Sequence, residues 1–421
     1  MNCTENNSSR LILEGENSFS GTIYAKRTSN GLQYNTFVEL AHEKAAQHAT
    51  LRLEGYNGAN MALAVNTDKA QLKGLSGNEH TLAYGGESSR ISMESPPSST
   101  RNSILSITGD GTYEYKGAVA GLSIAMDGTG TQKFTGNNVN IADIYANAGR
   151  LEFADGTTVT GTIYLGKGGV LNMGESHSLN EGATLAIVGN QGAMEGTLVL
   201  NGGAIVFDAN ALNAGTAQFN GTMQVAGGLT SQTIGILDTN SLELGRTYTL
   251  FSSDWSGKTA TMASNMPDYL TSSFEAGADG LKMTVTMAGG YAEWQDDYTL
   301  FTAGQTVEFR DTAAAESLDF TEARTAAGLR FTNEETYTFN GSDVTLGGTL
   351  QMDSGKLVLN NKLSTTAYEA TGGSLEIASE GMLALTNTLT SAENRLATVN
   401  GIAGSGTLQV KLDNTNNTYD N

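Results

Sequence analysis

Cysteine, proline, histidine and basic residues are all scarce in this chain, and each shortage excludes something. The one cysteine, Cys3, rules out an intrachain disulfide, so burial and hydrogen bonding must hold the fold. Only 3 prolines stand beside 52 glycines in 421 residues. Disordered linkers carry both residue types. A Gly-rich, Pro-poor chain instead points to many tight turns within regular structure, because Gly and Asn adopt the left-handed backbone conformation cheaply. Lys and Arg number 23 against 44 Asp and Glu, a net charge of −21. Such a surface excludes nucleic acid and anionic lipid headgroups as partners, since both need clustered cations. It suits a soluble secreted surface, or weak calcium capture. Charged residues total 16%, below the roughly 25% of ordinary domains, and Thr, Ser and Asn carry the polar surface. No run of 18 apolar residues is present to insert as a membrane helix. The N-terminus, MNCTENNSSR, lacks the apolar core of a signal peptide, so export would require a signal further upstream.

What recurs is a short string: Gly, a small polar residue, an apolar–polar–apolar triplet, then Asn or Gly. It appears as GTLVLNGG at 196–203, GGTLQMDSGKLVLN at 347–360, GGSLEIASEGMLAL at 372–385 and GSGTLQVKL at 404–412. Earlier forms are SRLILEGENSFSGTI at 9–23, ATLRLEG at 49–55, GRLEFADG at 149–156 and GVLNMGE at 169–175. Period-two alternation over so few residues marks half-buried strands, and the flanking Gly and Asn mark turns. Strands this short are unstable as isolated hairpins. Stacked in register at about 4.8 Å, their apolar positions merge into one continuous column. Taking Leu350, Leu375 and Leu408 as equivalent gives spacings of 25 and 33, which a solenoid absorbs as loops at one corner. The expected fold is therefore all-β: a right-handed parallel β-helix built as a single-stranded-repeat array with an interrupting β layer. At roughly 20–25 residues per coil it would have on the order of 15 coils, a rod near 70 Å long.

Three regions follow from the change in pattern. Residues 1–231 form a first β-helix module. Residues 232–288, with GRTYTLFSSDWSG and GADGLKMTVTMAGG, form a closing layer of longer strands. Residues 289–421 form a second, incomplete module that opens at Tyr291. Within the first, VELAHEKAAQHATLRL at 38–53 predicts a helix, although its Leu-rich end also suits a strand. SMESPPSSTRNS at 92–103, with Pro96 and Pro97, predicts an exposed loop.

These strings resemble autotransporter passenger domains, and within them the autotransporter-associated β-strand repeat. The resemblance lies in the GTLxL strands; in QLKGLSGNEHTL at 71–82, echoed by VNGIAGSGTLQV at 399–410; and in the opening of the second module. There Trp294, Val307, Phe309, Asp311, Leu329, Phe331, Tyr337 and Phe339 lead into GSDVTLGGTL in the family's order. It implies a passenger fragment exported by a Gram-negative cell, lying extracellularly and tethered to the outer membrane through a translocator barrel that this chain does not contain. Family members are mostly adhesins or surface structural proteins, and some are toxins or proteases.

Motifs for chemistry are few. GTIYLGKG at 161–168 has Gly161, Gly166 and Lys167 at P-loop spacing, but Gly168 occupies the magnesium-binding Ser/Thr position. His42 and His48 in HEKAAQH are six apart, about 240° around a helix, which is unsuited to a zinc pair. No Gly-x-Ser-x-Gly elbow occurs, Cys3 has no activating histidine nearby, and GDG at 109–111 is a lone turn rather than a calcium repeat. EWQDD at 293–297 is the best candidate for carbohydrate binding. Trp294 would stack on a sugar while Glu293, Asp296 and Asp297 supply acid, base or calcium ligands. The competing reading makes Trp294 a module-opening core aromatic and the carboxylates ordinary turn residues, and Trp255 has the same two readings. The expected function is a non-catalytic surface scaffold or adhesin with no catalytic residues, cofactor or metal. Its partners would be glycans, a host or neighbouring cell surface, or other copies of itself. The alternative is a carbohydrate-active β-helix enzyme, such as a polyuronate lyase or glycosidase.

Overall fold

In a computed structural model of the chain, residues 2–3, 10–27, 36–56, 61–86, 102–166, 168–189, 192–212, 216–264, 266–311, 317–387 and 401–412 are described. Among them are many short strands, single-turn 3-10 segments and no α-helix. The strands stack in parallel as a β-solenoid of about 16 turns. Two compact units are present: Met1–Leu237 with Thr247–Asn265 and Ser273–Thr284, and Asp238–Arg246 with Met266–Ser272 and Val285–Asn421.

In the first unit the strands up to Leu237 pair in parallel with strands one coil away. Thr112–Tyr115, Thr131–Phe134, Arg150–Phe153 and Val170–Asn180 make one such column. Alternation sends Tyr115, Phe134 and Phe153 inward, where the last two stack at 5.3 Å, and leaves Lys133 and Glu152 outside as an ion pair. Where the ladder is interrupted, a side chain substitutes: buried Gln132 accepts from the Leu75 amide and donates to its carbonyl. At the end of this unit Thr247–Phe251 runs antiparallel to residues 281–284. Phe251 there packs edge-on against Phe207 and Phe219 and stacks on Trp255, which is fully buried. Trp255 is thus a core residue.

The second unit has three parallel sheets, each adding one strand per coil. One contains Tyr291–Glu293, Thr306–Phe309, Gly328–Phe331, Thr349–Met352 and Ala367–Ala370. Another contains Ser317–Phe320, Thr336–Gly341, Lys356–Leu359, Ser374–Ile377 and Ile402–Gly404. The third contains Arg324–Ala326, Val344–Leu346, Lys362–Thr365, Met382–Asn387 and Thr407–Leu412. All three send alternate residues into one core that includes Phe309, Phe331, Leu350, Leu357 and Leu383. Phe309 and Phe331 stack at 4.4 Å, close to the coil repeat. Gly341 turns a corner at φ 81, where a Cβ would lie 2.3 Å from the Phe320 carbonyl oxygen; only glycine fits there.

Two expectations are corrected. Residues 38–53 are not helical: Thr36–Leu40 and Ala46–Glu54 are strands. Coils on both sides capture the second of them, pairing it with Thr22–Arg27 and Lys69–Gly77, and tertiary pairing overrides the local helix propensity of HEKAAQ. The leucine equivalences also differ. Leu350 pairs with Tyr368, Leu375 with Ile402, and Leu408 with Leu383. Leu350 and Leu375 belong to different sheets, so the spacing of 25 crosses a corner and does not measure a coil. The Pro96–Pro97 dipeptide lies outside the described residues.

Leu357 is fully buried within the core ladder, whereas Leu408 is 43% exposed. Leu357→Ala should lower unfolding free energy by about 2–5 kcal/mol, and Leu408→Ala by less than about 0.5 kcal/mol. Denaturant titration of the two variants checks this difference.

Candidate functional site

The strand that begins the second unit places Glu293 and Trp294 on opposite faces, as successive strand residues must be. Trp294 points inward and is fully buried. Its ring meets Tyr298 and Phe301 edge-on at 5.3 and 5.7 Å and lies against Phe309 at 5.7 Å. Its amide donates to the Glu308 carbonyl at 2.8 Å. Fully buried among these side chains, Trp294 presents nothing on which a sugar could stack. Asp296 adopts a left-handed conformation at φ 59 in an exposed turn. Asp297 caps the 3-10 turn Tyr298–Leu300, accepting from the Thr299 amide at 2.9 Å and its hydroxyl at 2.7 Å. Those Thr299 hydrogen bonds hold the Asp297 carboxyl below the usual range. The four EWQDD residues proposed as a ligand site therefore diverge: one into the core, one onto the outer sheet face, and two into a turn.

Glu293 leads to a different constellation. Register places Glu293, Glu308, Arg330, Gln351 and Glu369 in one outward-facing column. Outward here does not mean solvated. Asp238–Arg246 and Met266–Ser272 of the same unit lie over the first coils, so Glu308 and Arg310 are fully buried and Glu293 is 9% exposed. Arg310 fastens this cover. One guanidinium nitrogen donates to the carbonyls of Thr239, Asn240 and Leu242 at 2.8, 2.9 and 3.0 Å, and the other faces Glu293 at 3.5 Å. A cation is favourable there because the end of the 3-10 turn Thr239–Ser241 aims several backbone carbonyls at one point. Arg330 fastens the second segment. It pairs with Asp353 at 2.7 Å and Asp268 at 2.8 Å, and its guanidinium sits 4.5 Å from the Tyr269 ring centre. The Tyr269 hydroxyl donates to the Asn240 side chain at 2.6 Å, and the Asn240 amide donates to the Thr332 carbonyl at 2.8 Å.

Burial sets the electrostatics of the cluster. The Glu308 carboxyl is pushed up to about 8, first by desolvation, against the opposing pull of the Thr332 hydroxyl and the two arginines. One of its oxygens accepts from Thr332 at 2.7 Å, and the other has no hydrogen-bond partner among the described residues. The Tyr269 hydroxyl is pushed up to about 12, again first by burial, with the Glu308 charge adding to it. A neutral carboxyl beside two guanidinium groups is suited to proton transfer, but here it lies beneath the cover, away from any reactant. Among the described residues, no three His, Cys, Asp or Glu side chains are grouped to hold a metal ion. Lys167 lies outside the described residues, as does the side chain of Cys3. The alternation in TVEFR shows that Glu308 and Arg310 share a face. Nothing in those residues reveals that a segment about 70 residues upstream covers that face.

No family model, curated protein or solved structure matches the chain.

Two outcomes test this cluster. Glu308 binds its proton more tightly when folded, so its stabilising contribution is complete below about 4.5 and is lost as pH rises through about 8. Relative to Glu308→Gln, the native chain should lose up to about 1.4 kcal/mol per pH unit across that window; melts at pH 4, 6 and 9 read it. Arg310→Ala removes the guanidinium that donates to three carbonyls and faces Glu293, and should cost about 3–5 kcal/mol, measurable by denaturant unfolding.

Proposed function

We propose that this chain is a non-catalytic extracellular scaffold of the adhesin type, a passenger segment exported through an autotransporter route. The observation that carries this reading is how the most deeply buried cluster of charged side chains is used: it is built into the wall. Arg310 and Arg330 fasten covering segments, and Glu308 lies sealed beneath them. Outer-face polar groups elsewhere bond along the stack, as Asn180 does with Asn201 and Asn340 with Asn360. Stacked coils make a stiff support, and exposed Thr, Ser and Asn rows present hydroxyl and amide groups to a glycan or to another copy. A parallel solenoid also suits export, since each arriving coil completes the edge left by the last.

The export assignment rests on the family resemblance in the repeats and in the Trp294-to-Phe339 series. The rival reading, a polyuronate lyase or glycosidase, requires accessible clustered carboxylates and a basic residue beside a groove. The Glu293–Glu308–Arg310 group has these residue types but not the access.

Incubation with polygalacturonate and alginate, followed in the ultraviolet for unsaturated product, should show no turnover above background. Clear turnover abolished by Glu308→Gln would replace the scaffold reading with the lyase reading.

A further inference from the structure

His177 faces the core of the first unit at a place where the coil-to-coil ladder is broken. Its strand pairs residues 176–180 with residues 197–201 of the following coil, so that His177 lies opposite Leu198 and Leu179 opposite Leu200. Leu179, Leu198 and Leu200 are fully buried, and strand alternation therefore puts His177 on the inward side with Leu179. The next two coils fill its column with Leu198 and then Met223. An imidazole thus stands where its neighbours carry apolar side chains.

The break lies on the other edge of the same strand. Thr158–Val159, about one coil earlier, pairs with Asn140–Ile141 of the coil before it. Among the described residues it has no ladder with 176–180. A cavity of about 270 Å³ lies there, lined by Val159, Thr160 and Gly161 of one coil and by His177, Ser178 and Asn180 of the next. The half-buried His177 side chain makes no hydrogen bond or ion pair with the described residues. Burial holds its pKa below the ordinary 6.5, so the ring is neutral at pH 7. The charged groups around it are Glu181 on the cavity lining, Glu175 on its own strand, Asp155 in the preceding coil and Glu195 on the following strand. Glu175 and Glu181 are exposed, Asp155 accepts from the Glu175 amide, and Glu195 is held by Arg150. None of them counteracts the burial.

An imidazolium without a partner is unfavourable in an apolar column and gains hydration by leaving it. The cavity gives it a route, and no ladder has to be broken on that side. We propose that His177 makes this break an acid-sensitive joint: once protonated, the ring leaves the core column for water, and residues 176–180 loosen from residues 197–201. The folded chain binds this proton less tightly than the unfolded one. Its packing contribution is therefore complete above about 6.5 and is lost as pH falls below that value. The joint is independent of the scaffold reading.

Hydrogen exchange of the full chain, corrected for the intrinsic effect of pH, should be followed in peptides covering 176–180 and 197–201. Between pH 7.5 and 5.0 their protection should fall at least about threefold in the native chain. It should hold steady in both His177→Leu, which supplies the apolar side chain of the next coil, and His177→Gln, which stays polar without titrating. His48→Gln, at an exposed position in an earlier coil, should behave as the native chain does. A fall that persists in the His177 variants, or no fall in the native chain, overturns the joint. The histidine ring signals of the native chain, followed by NMR, give a second readout that needs no folded His177 variant. A His177 midpoint at or above 6.5 likewise overturns it.

Discussion

The parallel, in-register hydrogen-bond ladder between successive coils is the constraint on which everything else depends. Each short strand has unsatisfied amides and carbonyls on both edges, and only the neighbouring coils can complete them at a spacing of about 4.8 Å. Once register is set, a residue's neighbours are its counterparts one coil away. Phe134 therefore meets Phe153, Phe309 meets Phe331, and Asn340 meets Asn360. The core is a set of such columns, and the outer surface is organised in the same way.

The ladder also explains where the wall changes character. Where adjacent coils spend equal numbers of residues on a corner, the wall is closed and its polar side chains satisfy one another. Where they differ, as at Glu195–Gly196 opposite Gly221–Thr222, a gap opens with backbone and side chains around it. A third condition holds at the start of the second unit, where Asp238–Arg246 and Met266–Ser272 lie over the outer sheet face. There the outward column becomes buried, and ion pairing with carbonyl capping by Arg310 and Arg330 offsets the cost of desolvating it. An uncompensated residue of that cost remains at Glu308, visible as its raised proton affinity.

Much of this architecture was legible in local sequence. The alternation in GTLVLNGG and GKLVLN marks strands, their inward leucines are buried, and the scarcity of proline agrees with uninterrupted pairing. Trp294 was legible as a core aromatic, one of its two readings, from its place ahead of Val307 and Phe309. The coil assignment was not legible: Leu350 and Leu375 look equivalent in sequence yet occupy different sheets, because similar strings recur on more than one side of the solenoid. HEKAAQ misleads for a related reason, since its helix propensity is local and the strands that capture its flank are not.

Local chemistry by itself determined the all-β class, the direction each side chain faces within its strand, the turns and the acidic surface. All of these follow from a two-residue period, from glycine's conformational range and from composition. Only the tertiary structure decided the register, the splitting of EWQDD between core, face and turn, the burial of Glu308 and Arg310, and the gap at Glu195. Each of these depends on which residues, about 20 to 70 positions away, arrive alongside. A strand's alternation specifies two faces, and what lies against each of them is set by the rest of the chain.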